Sequence, residues 1–85
     1  MMLYKRYVDV EVLKKRSGET VPLALYWYNG KPVPDRYEIS KILKTEMHSS
    51  SRVGGTGKLY VVMIRGQVRN LYLEDKRWFI ESLRP

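Results

Sequence analysis

Apolar and polar residues alternate along much of this chain with a period of two, which is typical of β-strands rather than of helices. Residues 7–13 alternate cleanly, and residues 20–28 alternate again after Ser17-Gly18, a pair typical of a turn. Pairing the two segments as a hairpin predicts one shared face that points into the core. Its members are Val8, Val10, Val12, Leu23, Leu25 and Trp27.

The segment from Lys58 to Leu83 predicts two further hairpins. A two-residue turn at Gly66-Gln67 would place Ile64 opposite Arg69, and a turn at Asp75-Lys76 would close the second hairpin. This register predicts one continuous apolar surface, which we expect to be the centre of the core. It consists of Tyr60, Val62, Ile64, Leu71, Leu73, Trp78 and Ile80.

The other face of these two hairpins is apolar as well. Tyr72 lies beside Phe79 in the predicted register, and Val61 and Met63 belong to the same face. An antiparallel sheet commonly keeps one face polar. A second apolar face therefore predicts either cover by another segment of the chain or contact with a partner.

Residues 35–47 fit two different structures. Asp35 with Glu38 resembles a helix capping box, and several apolar residues recur at helical spacing. These are Ile39, Ile42, Leu43 and Met47. A strand is the alternative, in which a bulge near Ser40 would keep both isoleucines facing inwards. The pattern of this segment leaves both structures open.

Proline and glycine mark the connections. Asn29-Gly30 is a turn signal, and Pro32 and Pro34 confine the residues around them to an edge or a loop, because proline donates no backbone hydrogen bond. Residues 48–57 are small, polar and rich in glycine, which predicts a mobile loop.

Part of this loop, Gly54-Gly55-Thr56-Gly57-Lys58, resembles a phosphate-binding loop, but the full motif is absent. That motif requires a glycine where Arg52 stands and a serine or threonine where Leu59 stands. Nucleotide hydrolysis is therefore not predicted. A weaker hypothesis remains, in which free amides of the loop, with Arg52 and Lys58, bind one anion. The alternative is a plain connection.

Composition narrows the class of protein. The 85 residues are enough for one small domain, which we expect to cover residues 1–85. The chain has no cysteine and a single histidine, His48, which excludes thiolate metal sites, His-pair metal sites and thiol catalysis. We therefore expect no enzyme activity, no cofactor and no metal. The lack of cysteine and of a long apolar segment predicts a cytoplasmic protein without a membrane partner.

The net charge of +7 makes polyanions candidate partners, because a strongly positive chain attracts them. The basic residues are dispersed, and only Lys14-Lys15-Arg16 forms a run, at an expected hairpin tip. The candidate binding residues lie beside the glycine-rich loop and on the two later hairpins. They are Arg52, Lys58, Arg65, Arg69, Tyr72, Arg77 and Phe79.

Two functions from different classes fit these residues. The first is a non-catalytic binding module for DNA or RNA, in which the basic residues contact phosphates and Tyr72 and Phe79 stack on bases if they are uncovered. The alternative is a module or adaptor that binds another protein and whose positive charge maintains solubility. The oligomeric state is open at this level.

Several motifs resemble those of short uncharacterised bacterial proteins, some of which are encoded near translesion DNA polymerases. The matching motifs are Leu25-Tyr26-Trp27, Asn29-Gly30, Tyr37-Glu38-Ile39, Gly54-Gly55-x-Gly57-x-x-Tyr60 and Trp78-Phe79-Ile80-Glu81. The resemblance spans Val8 to Leu83, and the chain departs from the pattern at residues 32–36. It implies a compact β protein and favours a strand at residues 37–44. It carries over no catalytic residue.

Together these patterns predict an all-β domain. We expect a bent antiparallel meander of about six strands that forms a small SH3-like barrel or roll. The alternative is an α+β roll with one short helix within residues 35–47.

Overall fold

The computed structural model of the chain describes residues 4–28, 30–49 and 56–82. These ranges contain strands, turns and bends and no helix. The strands are β1 (Tyr4–Lys14), β2 (Thr20–Trp27), β3 (Asp35–Glu38), β4 (Lys41–Ser49), β5 (Thr56–Ile64), β6 (Gln67–Glu74) and β7 (Arg77–Ser82).

All seven strands belong to one antiparallel sheet, in the order β3-β2-β1-β7-β6-β5-β4. Strands that follow one another in the chain are therefore neighbours, except β3 and β4, which lie at opposite ends of this order, and β1 additionally pairs with β7. Residues 4–8 of β1 pair with β7, whereas residues 9–14 pair with β2. Because β1 belongs to both halves of the sheet, the sheet curls into a half-barrel. The predicted all-β meander is confirmed.

Residues 35–47 form two strands joined by a corner at Ile39-Ser40, so the helical alternative is wrong. The Ile39 amide donates to the carbonyl of Leu23 in β2, and the Ser40 amide donates to the carbonyl of Met63 in β5, both at 2.9 Å. The backbone of this segment thus forms hydrogen bonds with β2 and with β5, which are not neighbours in the sheet order. A strand with a corner and a bulge produces the same inward spacing of apolar residues as a helix, which explains the ambiguous pattern.

The core lies on the concave side of the half-barrel, which we call the inner face. Its buried members are Leu25, Tyr60, Val62, Ile64 and Leu71, and residues from every other strand pack around them. All the residues of the core surface predicted from the two later hairpins belong to this cluster. Val12 and Leu23 of the first predicted hairpin do not: the register shifts between Glu11 and Val12, so Val12 lies opposite Pro22 rather than Leu23, and Val12 is 39% exposed.

The predicted turn at Gly66-Gln67 is wrong by one residue, and the register of the hairpin is wrong by two. The turn consists of Arg65 and Gly66, with φ of 50° and 75°. Two consecutive positive φ values define a type I′ turn, whose twist matches that of the flanking strands. Ile64 therefore lies opposite Gln67 rather than Arg69. A shift of two residues leaves each side chain on the same side of the sheet, so the predicted set of core residues is correct despite the error in register.

The second hairpin has the predicted register. Asp75 and Lys76 form its turn, with φ of 49° and 68°, and Leu73 lies opposite Trp78.

The outer face of the sheet carries a second apolar cluster, in which Leu59, Tyr72 and Phe79 are buried and Val61 is partly buried. Of the two outcomes predicted for this face, cover within the chain is the one observed for these residues.

Four residues of the predicted glycine-rich loop belong to strands instead. His48 and Ser49 belong to β4, and Thr56 and Gly57 belong to β5. The rest of the predicted loop, residues 50–55, lies outside the described residues, as does its candidate anion ligand Arg52.

Candidate functional site

An open cavity of about 600 Å³ lies on the inner face, between the ends of β2 and β3 and the β5–β6 turn. Leu25, Ile64 and Ile80 contribute its apolar lining. Its polar and aromatic lining consists of Arg6, Trp27, Tyr37, Arg65, Gln67, Arg69 and Glu81. The cavity is within the range of about 300–1,000 Å³ that is usual for ligand sites.

Two of the arginines lie on aromatic rings of the same cavity. The guanidinium carbon of Arg6 is 4.2 Å from the centroid of the Trp27 ring, and that of Arg65 is 4.5 Å from the centroid of the Tyr37 ring. Such cation–π contacts contribute about 0.5–1 kcal/mol when exposed. Each contact holds one positive charge against one aromatic ring of the cavity lining.

Arg65 reaches Tyr37 because the type I′ turn places it at the tip of the β5–β6 hairpin. This backbone conformation, with φ of 50°, is one that asparagine, aspartate or glycine adopts more readily than arginine. The side chain is exposed, and it extends from the turn across the inner face to β3. The turn thus presents a cation at a position where the local backbone does not favour arginine.

The electrostatics of the cavity are dominated by its three arginines. Arg69 donates from Nη2 to Oε1 of Gln67 at 2.9 Å, which joins two polar residues of the lining. Glu81 is the acidic residue among the lining residues, but its carboxylate is bonded on the outer face, where Oε1 accepts a 2.8 Å hydrogen bond from the hydroxyl of Tyr72. The cavity is therefore suited to an anionic ligand.

The structure divides the candidate residues between the two faces of the sheet. Arg65 and Arg69 line the cavity. Lys58 lies at the other end of β5 from Ile64, with its Nζ 5.2 Å from the centroid of the Tyr60 ring. The remaining described candidates, Tyr72, Arg77 and Phe79, are on the outer face, and Arg52 lies outside the described residues.

Phe79 is buried between aromatic and charged neighbours on the outer face. The Tyr72 ring stacks on it at 5.0 Å between centroids, and the Tyr7 ring meets it edge-on at 5.8 Å. Lys5 lies above Phe79 at 5.0 Å and forms a 3.1 Å ion pair with Glu74. Phe79 is only 1% exposed. The condition for base stacking, that Tyr72 and Phe79 are uncovered, is not met.

Sequence reasoning missed Arg6, Trp27, Tyr37 and Gln67 as parts of a site. Trp27 and Tyr37 read as ordinary apolar positions of their strands. One feature of the sequence could have identified Arg6. It lies two residues before Val8 and four before Val10, so it is on the same face of β1 as these core residues. A cation at the end of an otherwise apolar strand face indicates the point where the core meets solvent.

A separate polar cluster lies on the outer face of β1, β2 and β3. Arg36 donates to both carboxylate oxygens of Glu11, at 3.2 and 3.4 Å, and the Tyr26 hydroxyl donates to the same carboxylate at 2.9 Å. The Arg36 hydrogen bond, followed by that of Tyr26, lowers the pKa of Glu11 below its ordinary value of 4.5. A carboxylate held ionised in this way is suited to joining three strands rather than to accepting a proton.

Within the described ranges, no group of three or more acidic, histidine or cysteine residues is placed to hold a metal ion. In the same ranges, no helix has the length and apolar character needed to span a membrane.

The chain was compared with protein-family models, with curated protein sequences and with solved structures. No protein-family model, curated protein sequence or solved structure gives a significant match to this chain.

Proposed function

We propose that this protein is a non-catalytic module that binds nucleic acid in the cavity of the inner face. The observation that carries the proposal is the lining of that cavity, where three arginines accompany Trp27 and Tyr37. Arginine recognises phosphate through paired, charge-assisted hydrogen bonds. Aromatic rings bind bases by stacking, at about 1–3 kcal/mol per base. The cavity thus combines the two chemistries that a nucleotide chain presents.

The backbone at Arg65 supports this proposal. A non-glycine residue in the left-handed region costs roughly 1–2 kcal/mol, and asparagine is tolerated there much better. Local strain of this kind is a reason to look for function at the residue that bears it. Lys76 has the same type of backbone strain outside the cavity, so what distinguishes Arg65 is that its charge belongs to the cavity lining.

The overall charge supports binding at longer range. A net charge of +7 raises the local concentration of polyanions around the protein and speeds their association. Interactions with phosphate also release counterions, so affinity should fall steeply as salt is raised. We further propose that the protein is cytoplasmic, since nucleic acid is accessible in that compartment. The proposal also includes a small SH3-like barrel fold and membership of the bacterial group that the sequence motifs resemble.

A matched pair of variants tests the site. Arg65→Asn and Lys76→Asn each remove one positive charge from a type I′ turn position with positive φ, and only Arg65 lines the cavity. Asparagine suits both turns, so neither variant should unfold the domain. Binding of fluorescein-labelled oligonucleotides, single-stranded and duplex, would be measured by anisotropy at two salt concentrations.

We expect Arg65→Asn to weaken binding about tenfold and to reduce the slope of log affinity against log salt by about one, as loss of a phosphate contact does. Lys76→Asn should change both quantities little. Equal effects of the two variants would show that charge alone, and not the cavity, determines binding. Absence of binding by the parent protein at low salt would refute the proposal and favour the alternative function, a module that binds another protein.

A further inference from the structure

We infer that the cavity takes unpaired nucleotides, whose bases stack on Trp27 and Tyr37 after displacing the guanidinium groups of Arg6 and Arg65 towards the phosphates. This inference rests on the proposed function and specifies the ligand class of the same site. It follows from the position of the rings, from what covers them and from the shape of the cavity.

The position of the rings selects against a duplex. Trp27 and Tyr37 line a recess on the concave side of the curled sheet and do not project from a convex surface. Bases inside a duplex are stacked on one another and show only their edges in the grooves. A ring in a recess can stack only on a base that is already unpaired and can enter the recess.

The contacts that cover the rings are replaceable. Both rings are half-buried. A guanidinium at the edge of such a ring makes a modest contact, whereas a base stacked on the same ring contributes more. The displaced guanidinium remains within reach of the sugar–phosphate backbone next to that base. In the free protein Arg6 and Arg65 thus protect the rings from water, and in the complex they contribute phosphate contacts.

The size of the cavity, together with a smaller recess beside it, fits a few nucleotides. Beside the main cavity of about 600 Å³ lies a recess of about 330 Å³ that shares Arg69, Ile80 and Glu81 with it. Arg69 thus belongs to the lining of both. Its position suits contact with the phosphate that follows a base bound at Trp27 or Tyr37.

Tryptophan fluorescence tests the inference directly, because the chain has two tryptophans and one of them lines the cavity. In a Trp78→Phe background, Trp27 is the sole tryptophan. The probes are oligothymidylate, a DNA duplex of the same length, and inorganic polyphosphate, which carries the charge without bases. We expect oligothymidylate to quench Trp27 emission and to bind at least tenfold more tightly than the duplex. Polyphosphate should leave the emission unchanged.

Two outcomes separate this inference from the proposed function. Tight binding of the duplex, or binding of oligothymidylate without a change in Trp27 emission, would overturn the inference and leave nucleic-acid binding intact. No binding of either oligonucleotide at low salt would overturn both.

Should Trp78→Phe fail to fold, the parent protein can be compared with Trp27→Phe and Tyr37→Leu. We expect Trp27→Phe to lose the quenching but keep most of the affinity, since phenylalanine still stacks. Tyr37→Leu should lose about tenfold in affinity for oligothymidylate and keep its affinity for polyphosphate. Equal losses for the two probes would show that Tyr37 acts through the fold and not by stacking.

Discussion

The guanidinium of Arg65 lies over the ring of Tyr37, with 4.5 Å between the guanidinium carbon and the ring centroid. Arg65 belongs to the β5–β6 turn and Tyr37 to β3, an outermost strand of the sheet that pairs only with β2. The contact therefore crosses the inner face between parts of the sheet that are not hydrogen-bonded neighbours. It adds a side-chain link to the corner at Ile39-Ser40, which joins β2 to β5 through backbone hydrogen bonds.

This link should be measurable as a coupling between the two residues. In a double-mutant cycle of Arg65→Asn and Tyr37→Leu, we expect a coupling free energy of about 0.5–1 kcal/mol, the usual size of an exposed cation–π contact. Urea denaturation of the parent, the single variants and the double variant supplies the four values. Lys76→Asn combined with Tyr37→Leu is the control, and its effects should add. Additive effects in the Arg65 cycle would contradict the link.

Truncation of Phe79 should be among the most damaging single changes, although Phe79 is on the outer face. It is 1% exposed and packs against the rings of Tyr7 and Tyr72. Phe79→Ala should reduce the free energy of unfolding by about 3–5 kcal/mol. Tyr28→Ala, at a residue that is 53% exposed, should change it by less than about 0.5 kcal/mol. Thermal melting of the two variants provides the comparison, and similar melting temperatures would show that the outer cluster is not a core.

Residue 57 must be glycine because the backbone of β6 lies very close to it. A Cβ at this position would overlap the carbonyl oxygen of Leu73 in β6, and a backbone atom within a paired sheet cannot move aside cheaply. Gly57→Ala should therefore destabilise the fold by about 1–3 kcal/mol. Gly30→Asn is the matched control, since nothing lies within 4 Å of an added Cβ there and asparagine tolerates its φ of +73°. Urea midpoints that are equal for the two variants would refute the requirement.

Alkaline pH should weaken the fold through Tyr72. Burial, reinforced by the hydrogen bond to Glu81, raises the pKa of Tyr72 from 10.0 to about 12. The folded state therefore holds the phenolic proton more tightly than the unfolded state does. This stabilisation is complete below pH 10 and is lost as the pH rises towards 12.

Urea midpoints measured across this pH range test the assignment. The parent protein should lose stability more steeply than Tyr72→Phe, which has no phenolic proton to lose. Tyr28→Phe is the control, because Tyr28 is exposed, and it should follow the parent. Parallel curves for the parent and Tyr72→Phe would contradict the raised pKa.

Much of the fold could be predicted from local patterns. Alternation placed Val10 opposite Leu25 and Leu73 opposite Trp78, as the structure does. The error at the β5–β6 hairpin arose because Gly66 can occupy either position of a two-residue turn. Glycine in the first position specifies a type II′ turn, and in the second it suits the type I′ turn that the hairpin adopts.

The candidate site could be predicted only in part. Arg65 and Arg69 were among the candidates because they are basic residues on hairpins. Tyr72 and Phe79 were included as aromatic residues among basic ones, on the condition that the outer face is uncovered. Burial on that face depends on side chains from β1, whose pairing with β7 is a contact between distant parts of the chain. No local pattern of residues specifies such a contact.

Outside residues 35–57, the sequence by itself determined which segments form strands and which side of the sheet most of their residues face. A period of two assigns every side chain to one of two faces, and a register error of two residues does not change that assignment. Only the tertiary structure decided which residues meet across the concave side. That decision depends on the bend of β1 and the corner at Ile39-Ser40, which curl the sheet and bring Arg6 over Trp27 and Arg65 over Tyr37. Curling is a property of the whole sheet, so the cavity exists only once all the strands have paired.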